Sequence, residues 1–405
     1  MSPLAGIRVV DLSRVLVGPW ASQLLADLGA EVIKIERPGE GDDTRGWGPP
    51  WFGGDGGPRM SAYFSAANRG KRSVAIDIAR PDGAALVRDM IAQADVFIEN
   101  FKVGGLERYG LDPASLRVAH PRLVTCSITG FGQDGPYADR PGYDFIIQGM
   151  GGFMSITGQP DGTPGAGPIK AGVALTDILT GLYAANAIQA ALIGRERTGK
   201  GAAIDVALLD VQVAVLANQA ANFLATGRNP RRMGNAHPNI VPYQSFVVAD
   251  GEIAIAVGND GQFRRLCAVL GAAEWGSDPR FADNAARVAH RAVLVPLLAA
   301  RLLQRPGVEW LAALEAAGVP AGPINAIDAV FADPQVTHRG MVRQLRSPAL
   351  GVVPAVGSPI RLDGARADAE AAPPLLGEHG RMVLGDLLGL EDAAFDALQA
   401  RGVIG

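Results

Sequence analysis

The sequence IRVVDLSRVLVGPWASQLLADLGAEVIKIE (Ile7–Glu36) contains two short apolar segments on either side of an amphipathic one. Ile7–Leu12 and Glu31–Glu36 have the length and aliphatic content of buried strands, and Trp20–Ala30 has the spacing of a helix that closes at Gly29. Two strands joined by one helix form a parallel pair with a right-handed crossover. This stretch therefore predicts a βαβ unit and a parallel sheet.

The same alternation of strands and helices continues through the first half of the chain. Three more apolar segments have strand character, and one segment between them is an amphipathic helix: Arg72–Ile78, Asp95–Asn100 and Arg122–Gly130, with the helix at Asp82–Ala94. Ala202–Asp210 adds a strand that runs into a helix. The fold class predicted is α/β, with a Rossmann-like large domain built on a parallel sheet.

A second, smaller α/β domain is predicted downstream. The composition shifts to Asn, Pro and Arg around Gly227–Tyr243, which marks a boundary. Gln244–Gly258 then has the pattern of a hairpin with Asp250-Gly251 as its turn, and helical patterns occupy Asp260–Ala317. The predicted division is a large domain at 1–210, a linker at 211–243, a small domain at 244–330 and a C-terminal segment at 331–405.

One long apolar run carries a single charge. Gly172–Gly194 is mostly apolar and contains only Asp177 as a charged residue. We expect a helix buried nearly all round inside a globular domain, rather than a membrane span. A buried carboxylate costs several kcal/mol unless it is paired. Asp177 is therefore either the N-cap of this helix or a nucleophile whose anion lies at the helix N-terminus, and both alternatives stay open on these residues alone.

Composition excludes several classes of partner. The 405 residues are 48% hydrophobic and carry a formal net charge of −4, so no basic excess favours nucleic acid or an anionic membrane. Cys126 and Cys267 are too few for a disulfide framework or a structural zinc site. The first residues lack the basic and apolar regions of a signal peptide, and we expect a cytoplasmic protein.

Motifs for three other chemistries are incomplete. The turn VLVGPW (Val15–Trp20) lacks the glycines of a dinucleotide fingerprint, although Glu36 ends the second strand where a ribose-binding acid would stand. GRERTGKG (Gly194–Gly201) is close to a P-loop but follows a helix and precedes a strand, the reverse of a P-loop. The chain has no GxSxG, and His237 lies alone in the polar loop Gly234–Asn239.

An ordered set of short motifs resembles one family. VLVGPWASQLLADLGAEVIKIERPGEGD (Val15–Asp42) is similar to the opening signature of the class III CoA-transferases, the formyl-CoA and carnitine CoA-transferase family. The other matching segments follow in order: NRGKRS (Asn68–Ser73), ENF (Glu99–Phe101), LERYG (Leu106–Gly110), PGYD (Pro141–Asp144), TGKG (Thr198–Gly201) and PLLGEH (Pro374–His379). Within the family, three segments are most similar to the succinyl-CoA:glutarate branch: Gly234–Gln244, Gly318–Asn325 and Asp333–Val336.

The resemblance implies a reaction. It places the family's catalytic aspartate on Asp177 and so favours the nucleophile over the N-cap. The implied activity is transfer of CoA from succinyl-CoA, or a similar acyl-CoA, to a dicarboxylic acid such as glutarate. An aspartyl mixed anhydride and an aspartyl-CoA thioester are the implied intermediates. No metal and no permanently bound cofactor are expected, because coenzyme A enters as the thioester substrate.

The resemblance also implies binding residues. Arg37 is expected beside the adenine and Arg108 near the phosphates. Residues expected to line the nucleotide groove or to lie near the pantetheine and thioester are Ile76, Asn100, Phe101, Leu16 and Val17, with Tyr143 completing the pocket. Asn235 and His237 are expected to bind the distal carboxylate of the acceptor.

Assembly and alternatives follow from the same resemblance. Family members form interlocked homodimers in which the C-terminal segment returns to the large domain. Leu16 replaces the Gln of formyl-CoA transferase, Tyr143 replaces the catalytic His of related racemases, and Gly234–Asn239 lacks the glycine run that covers the intermediate in formyl-CoA transferase. An acyl-CoA racemase or epimerase, a non-catalytic CoA-binding protein and, more remotely, an NAD(P) enzyme are the alternatives.

Overall fold

A computed structural model of the protein describes residues 2–54 and 56–405, which form two compact units. The first unit runs up to Phe153 and includes Lys170–Gly227 and Gln335–Gly405. The second contains Met154–Ile169 and Arg228–Pro334. This division into compact units does not test the predicted limits of the large domain, linker, small domain and C-terminal segment, which stay a prediction.

The strands of both units follow in chain order. They are β1 (Arg8–Asp11), β2 (Glu31–Glu36), β3 (Trp51–Gly53), β4 (Arg59–Ser61), β5 (Lys71–Ala75), β6 (Val96–Glu99), β7 (Val124–Thr129), β8 (Ala203–Ala207), β9 (Tyr243–Val248), β10 (Gly251–Ala256), β11 (Ala321–Pro323), β12 (Val342–Ser347), β13 (Gly351–Val356), β14 (Arg361–Leu362) and β15 (Ala365–Arg366).

Helices join the strands throughout. They are α1 (Val17–Asp27), α2 (Ala62–Ala66), α3 (Pro81–Ala92), α4 (Pro113–Ala119), α5 (Asp144–Met150), α6 (Phe153–Ile156), α7 (Leu175–Thr198), α8 (Leu208–Ala214), α9 (Ala217–Thr226), α10 (Asp260–Val269), α11 (Asn284–Ala289), α12 (Arg291–Leu302), α13 (Gly307–Ala316), α14 (Ile327–Ala332), α15 (Pro334–His338), α16 (Gly380–Leu388) and α17 (Asp392–Ala400). Short 3-10 turns occur at Asp43–Gly46, Glu107–Tyr109 and Ala273–Gly276.

The first unit is organised by a six-stranded sheet in the order β5-β2-β1-β6-β7-β8, with every neighbouring pair parallel. This confirms the predicted parallel α/β architecture. The strand order reverses between β1 and β6, which is the topological switch point of a doubly wound fold. Ligands of such folds bind in the crevice outside the carboxyl ends of the strands at that point.

Both faces of this sheet are covered, as a parallel sheet requires. Val9, Val32 and Val96 belong to a buried cluster with residues of α1 and α7. Successive side chains of a strand point to opposite faces, so Val10 and Phe97 pack instead in a cluster with residues of α3, α16 and α17. The C-terminal helices therefore complete the core of the first unit.

α7 differs from its expectation in one respect. The helix was expected to be buried nearly all round, but Leu182, Tyr183 and Ile193 are each exposed to about half or more in the single chain. Its buried face packs on the sheet through Ala184, Ile188 and other small or aliphatic residues. A run of apolar residues does not distinguish a face covered by its own chain from one left open, which is why the expectation was wrong.

In the second unit, β9 and β10 form the predicted hairpin, and β11 adds an edge strand that the sequence did not suggest. The predicted turn at Asp250-Gly251 is wrong by one residue. Gly251 pairs with Val248, so Ala249 and Asp250 form the two-residue loop. The Asp250 carboxylate instead accepts a hydrogen bond from the Gly307 amide at the start of α13, 2.7 Å away.

Candidate functional site

Two adjoining cavities lie at the switch point of the sheet in the first unit. The chain leaves β1 through Leu12 and Arg14, and leaves β6 through Asn100 and Phe101. Arg14, Phe101 and Tyr109 line both cavities, so the two spaces adjoin at these side chains. This is the place where the fold class predicts a ligand.

The larger cavity has a volume of about 430 Å³ and includes Asp177 in its wall. Six of the residues predicted to bind CoA also line it: Leu16, Val17, Asn100, Phe101, Arg108 and Tyr143. The smaller cavity, of about 350 Å³, is lined by the predicted Arg37 and Ile76, and Phe101 belongs to both. The structure thus brings together Asp177 and all eight predicted CoA-binding residues at one edge of the sheet, and their individual roles stay predictions.

Asp177 lies in the first turn of α7. The N-cap position is Ala174 and the helix begins at Leu175, so the alternative that Asp177 is the N-cap is wrong. Asp144, at the start of α5, caps the helix instead. Its Oδ1 accepts hydrogen bonds from the Thr176 amide at 2.8 Å and the Asp177 amide at 3.3 Å. The Asp177 side chain therefore does not cap the helix, and the residue is only 8% exposed.

Burial changes the acidity of this carboxyl group. Desolvation, and to a smaller extent the nearby charge of Asp144, raise the pKa of Asp177 to about 7. Its carboxylate is therefore more basic than an exposed aspartate and a better nucleophile, while a large fraction stays ionised near neutral pH. A perturbed carboxyl in a cleft is the kind of group that catalytic sites use.

The Asp144 carboxylate is fixed by a buried polar network. Gln148 Nε2 donates to Asp144 Oδ2 at 2.7 Å, and Gln148 Oε1 accepts from the Ala171 amide at 2.9 Å. Thr176 Oγ1 donates to Gln212 Oε1 at 2.6 Å. α5, α7 and α8 are thereby joined around the first turn of α7, so the position of Asp177 is determined by three helices.

Cations around the cavities suit an anionic ligand. Arg14, Lys102, Arg108 and Arg140 line the cavity that contains Asp177. The Arg108 guanidinium lies 4.6 Å from the centre of the Tyr109 ring, which restrains its plane. Arg37 in the smaller cavity is exposed and pairs with Glu40 at 3.0 Å. Several cations along two adjoining cavities can bind a chain of phosphate groups.

Tyr63 is a nearby residue that the sequence did not suggest. Burial is the main cause that raises the pKa of its phenol, followed by the charges of Asp177, Asp144 and Asp42. Its ring packs edge-on against Trp47, with 4.9 Å between ring centres. No motif marks Tyr63, because α2 is five residues long and far from Asp177 in sequence. Arg14 was missed too, although it adjoins the Val15–Asp42 signature.

Tyr143 is 62% exposed and lines the cavity from the residue before α5. A phenol is a weak base near pH 7. This placement gives no support to abstraction of an α-proton, the step that a racemase needs.

The structure also shows why the incomplete dinucleotide motif and the P-loop-like segment do not bind a nucleotide in the usual way. The Glu36 carboxylate is occupied by Arg45, with both N–O distances at 2.7 Å, and by the Ser73 hydroxyl at 2.7 Å. Gly194–Gly201 contains the C-terminus of α7, where Gly199 has a left-handed φ of 71° and its amide bonds to Arg195. A helix C-terminus presents carbonyl groups, not the amides that bind phosphate.

Asn235 and His237 belong to the second unit and do not line either cavity. Asn235 Nδ2 donates to Ser245 Oγ at 2.8 Å, and the His237 ring lies 5.3 Å from the Tyr243 ring. Arg291 Nη2 donates to the His237 carbonyl at 2.6 Å, which fixes the loop. Their predicted part in acceptor binding stays a prediction.

The described parts of the chain contain no cluster of metal-binding side chains, and their two cysteines are buried. Within residues 2–54 and 56–405, no group of three or more His, Cys, Asp or Glu side chains is arranged to bind a metal ion. Cys126 and Cys267 are buried free thiols, and burial raises the pKa of both, that of Cys267 to about 12. Across the same residues, a membrane-spanning length of apolar helix is reached only by α8 and α9 together, and these are bent by 72°.

Comparisons with known families, relatives and solved structures all lead to one family. The model of the family described as CoA-transferase family III matches residues 4–380. A succinate–glutarate CoA-transferase of Agrobacterium fabrum is 55% identical over 393 residues, covering 97% of each chain. A succinyl-CoA:glutarate CoA-transferase of Mus musculus is 44% identical, covering 100% of this chain and 91% of the relative. The crystal structure of a CAIB/BAIF family protein from Brucella suis superposes with a TM-score of 0.83 at 54% identity, covering 95% and 99%.

Proposed function

The chain belongs to CoA-transferase family III and is a CoA-transferase, and from this premise we propose that it transfers CoA from succinyl-CoA to glutarate or a dicarboxylate of similar size. The observation that carries the reaction is the buried carboxylate of Asp177 in a cavity that is itself lined by cations. The substrate pair is supported by the names of the relatives, with 55% identity for the Agrobacterium fabrum enzyme.

The first half of the proposed reaction starts from ionised Asp177. One carboxylate oxygen attacks the thioester carbonyl of succinyl-CoA, the C–S bond breaks, and CoA leaves as a thiolate. The product on the enzyme is an aspartyl–succinyl mixed anhydride. The thiolate then attacks the aspartyl carbonyl, the bond to the succinyl oxygen breaks, and succinate leaves. Asp177 now carries CoA as a thioester.

The second half repeats these steps in reverse order with the acceptor. A glutarate carboxylate attacks the aspartyl-CoA carbonyl and releases the thiolate, forming an aspartyl–glutaryl anhydride. The thiolate attacks the glutaryl carbonyl, glutaryl-CoA forms, and the Asp177 carboxylate is released. One thioester replaces another of similar energy, so no net proton transfer, ATP or metal is required by the balance.

The proposed reaction needs hydrogen-bond donors for the oxyanions. α1 begins without a side-chain cap, and the amides in the first turn of a helix have no partners within that helix. Leu16 and Val17, at the start of α1, line the same cavity as Asp177. We assign the oxyanion donors to the Val17 and Gly18 amides of this turn, since Pro19 has no N–H, and these amides also carry the partial positive charge of the helix dipole.

The predicted ligand contacts extend this proposal along the two cavities. Arg37 and Ile76 in the smaller cavity are assigned to the adenine end of CoA, and Arg108 and Asn100 to the phosphates and groove. Asn235 and His237 are assigned to the distal carboxylate of the acceptor, on the basis of the polar loop that they share.

We also propose that two copies form the interlocked dimer expected for this family. Large apolar side chains on α5, α7 and α9 support this, because they are exposed in the single chain. These residues are Phe145, Ile146, Met150, Leu182, Tyr183, Ile193, Phe223 and Leu224. Large apolar side chains left exposed on several helices are expected at an interface between proteins.

An acceptor panel tests the substrate assignment. Purified enzyme with succinyl-CoA is offered dicarboxylates of four to six carbons and monocarboxylates of matched length, and the new acyl-CoA is identified by mass spectrometry. The expected result is the highest kcat/KM for glutarate or its nearest homologue. Faster transfer to monocarboxylates than to every dicarboxylate contradicts the substrate assignment, and deuterium exchange at the α-carbon without transfer contradicts the reaction itself.

A further inference from the structure

The connection between β1 and α1 holds a valine in an unfavourable backbone conformation. Val15 has a φ of 71°, in the left-handed region that a β-branched residue rarely adopts. It directly precedes Leu16 and Val17, which line the cavity of Asp177. Strained backbone of this kind persists only where the surrounding structure fixes it, and it concentrates at functional sites.

The side chains of Asp11, Asn100 and Asp42 bind the backbone of this turn. Asp11 Oδ1 accepts from the Ser13 amide at 2.9 Å. Asn100 accepts from the Arg14 amide at 2.9 Å and donates to the Arg14 carbonyl at 2.8 Å. Asp42 accepts from the Val15 amide, with 3.2 Å to each carboxylate oxygen. The strained residue is therefore held by Asp42.

Asp42 is itself fixed by a buried cation. Lys34 Nζ lies 2.8 Å from Asp42 Oδ2, and both side chains are completely buried. The same ammonium group donates to the Ser13 carbonyl at 2.8 Å. Asp42 also accepts from the Thr44 amide and hydroxyl, at 3.0 and 2.8 Å. One lysine on β2 thus connects two points of the turn, directly at Ser13 and through Asp42 at Val15.

The start of α1 must be placed accurately because α7 packs directly against it. A Cβ added at Gly181, one turn after Asp177, would lie only 2.9 Å from the Val17 carbonyl oxygen. A shift of the Val15 turn therefore moves the first turn of α1 relative to Asp177.

We propose that Asp42, held by Lys34, is a positioning residue for acyl transfer, because it maintains the left-handed Val15 turn that sets the start of α1 beside Asp177. This inference rests on the proposed function. Asp42 acts through the backbone and does not touch the reacting atoms. Misplacement of a reacting group by about 1 Å can lower a rate about 100-fold, which sets the size of the expected effect.

The test replaces Asp42 by asparagine. Asp42→Asn is expected to lower kcat about 100-fold, with a much smaller change in the KM for succinyl-CoA. Adding Val15→Gly to this variant is expected to recover at least about tenfold of the lost kcat, because glycine adopts positive φ without steric cost. A role in stability alone would not produce this rescue, because the glycine acts on the backbone conformation of the turn that Asp42 holds.

A matched control comes from the other end of α1. Asp27 is a buried carboxylate paired with Arg69, with 2.9 Å between Oδ1 and Nε. Asp27→Asn alters a comparable buried ion pair away from the cavities, so it is expected to leave kcat unchanged. If Asp42→Asn does not fold, the double variant Lys34→Met/Asp42→Asn removes the pair without leaving a lone buried charge, and it is expected to show the same loss of kcat.

The outcomes separate the two claims. An unchanged kcat in folded Asp42→Asn, or in the double variant, overturns this inference while leaving the proposed function intact. Absence of rescue by Val15→Gly, or an equal loss of kcat in Asp27→Asn, also overturns it. Absence of CoA transfer by the wild-type enzyme contradicts the proposed function instead.

Discussion

The Asp177 carboxyl group sits where ionisation is unfavourable. Burial and the charge of Asp144 raise its pKa to about 7 from an ordinary value of 3.8. That difference corresponds to about 4 kcal/mol of unfavourable free energy in the ionised folded state. The same environment makes the carboxylate a better nucleophile, so its reactivity and its cost in stability have one physical cause.

The pH dependence of transfer follows from this pKa. Only ionised Asp177 attacks a thioester, so kcat/KM is expected to rise with pH and to level off above a midpoint near 7. Asp144→Asn removes the smaller of the two causes and keeps an oxygen for the Thr176 amide, so its midpoint is expected at lower pH but still above 3.8. A pH profile of kcat/KM measures both, and an unchanged or higher midpoint in Asp144→Asn contradicts this reasoning.

Stability should change in the opposite direction to activity when Asp177 is replaced. A carboxyl group whose pKa is raised by folding favours the folded state when protonated, and this contribution is lost as pH rises from about 4 through 7. Asp177→Asn cannot ionise, so we expect a higher thermal midpoint than wild type at pH 8 and a smaller difference at pH 5. Thermal unfolding at the two pH values measures this, and a more stable wild type at pH 8 would refute it.

Among individual residues, the sequence indicated Asp177 because it is the only charge in a long apolar run, but it left the role of Asp177 open. The resemblance placed the other cavity residues, and the fold brought them together. Asp144 entered the sequence analysis only as the end of the PGYD segment, since its bonds to Thr176 and Asp177 depend on the packing of α5 against α7. Tyr63 could not be predicted, because its position arises from a short helix with no motif.

Among the helices and strands, the packing of α1 against α7 determines where the first turn of α7, which carries Asp177, lies relative to the start of α1. Gly181 permits their close approach, since a Cβ there would meet the Val17 carbonyl at 2.9 Å and Trp20 at 3.1 Å. Backbone cannot yield as a flexible side chain does. The spacing of the two helices therefore depends on one glycine.

Paired glycine substitutions in α7 test this packing. Gly181→Ala is expected to destabilise the protein by about 1–3 kcal/mol through overpacking, and to lower kcat. Gly194→Ala, in the same helix but with no atom within 4 Å of the added Cβ, is expected to stabilise it by about 0.5–1 kcal/mol through helix propensity. Thermal unfolding and kcat of the two variants are the measurements, and equal effects at both positions would count against this view of the helix pair.

The elements of the sheet were predictable from local pattern. Glu31–Glu36 is a strand over its whole predicted range, and the strand predicted at Ile7–Leu12 is Arg8–Asp11. The helix predicted at Trp20–Ala30 begins earlier, at Val17, because Pro19 is tolerated in a first helical turn. β11 was missed, because a three-residue edge strand that ends in proline carries almost no periodic signal.

For the whole molecule, the apolar surface of the single chain predicts a partner. Light scattering coupled to size exclusion is expected to give about twice the 42.1 kDa of one chain. Leu224 on α9 is 81% exposed, so Leu224→Asp is expected to lower the thermal midpoint if a second copy covers it, although an exposed leucine in a monomer would tolerate the change. A mass near one chain contradicts the dimer.

The most direct measurement is chemical trapping of the enzyme during turnover. The protein is incubated with succinyl-CoA, treated with hydroxylamine, and digested for peptide mass mapping, since hydroxylamine converts an activated carboxyl group to a hydroxamate. We predict a hydroxamate on Asp177 that depends on succinyl-CoA and is absent from Asp177→Asn. Full transfer activity with no modification of Asp177, or modification of a different residue, would contradict the proposed mechanism.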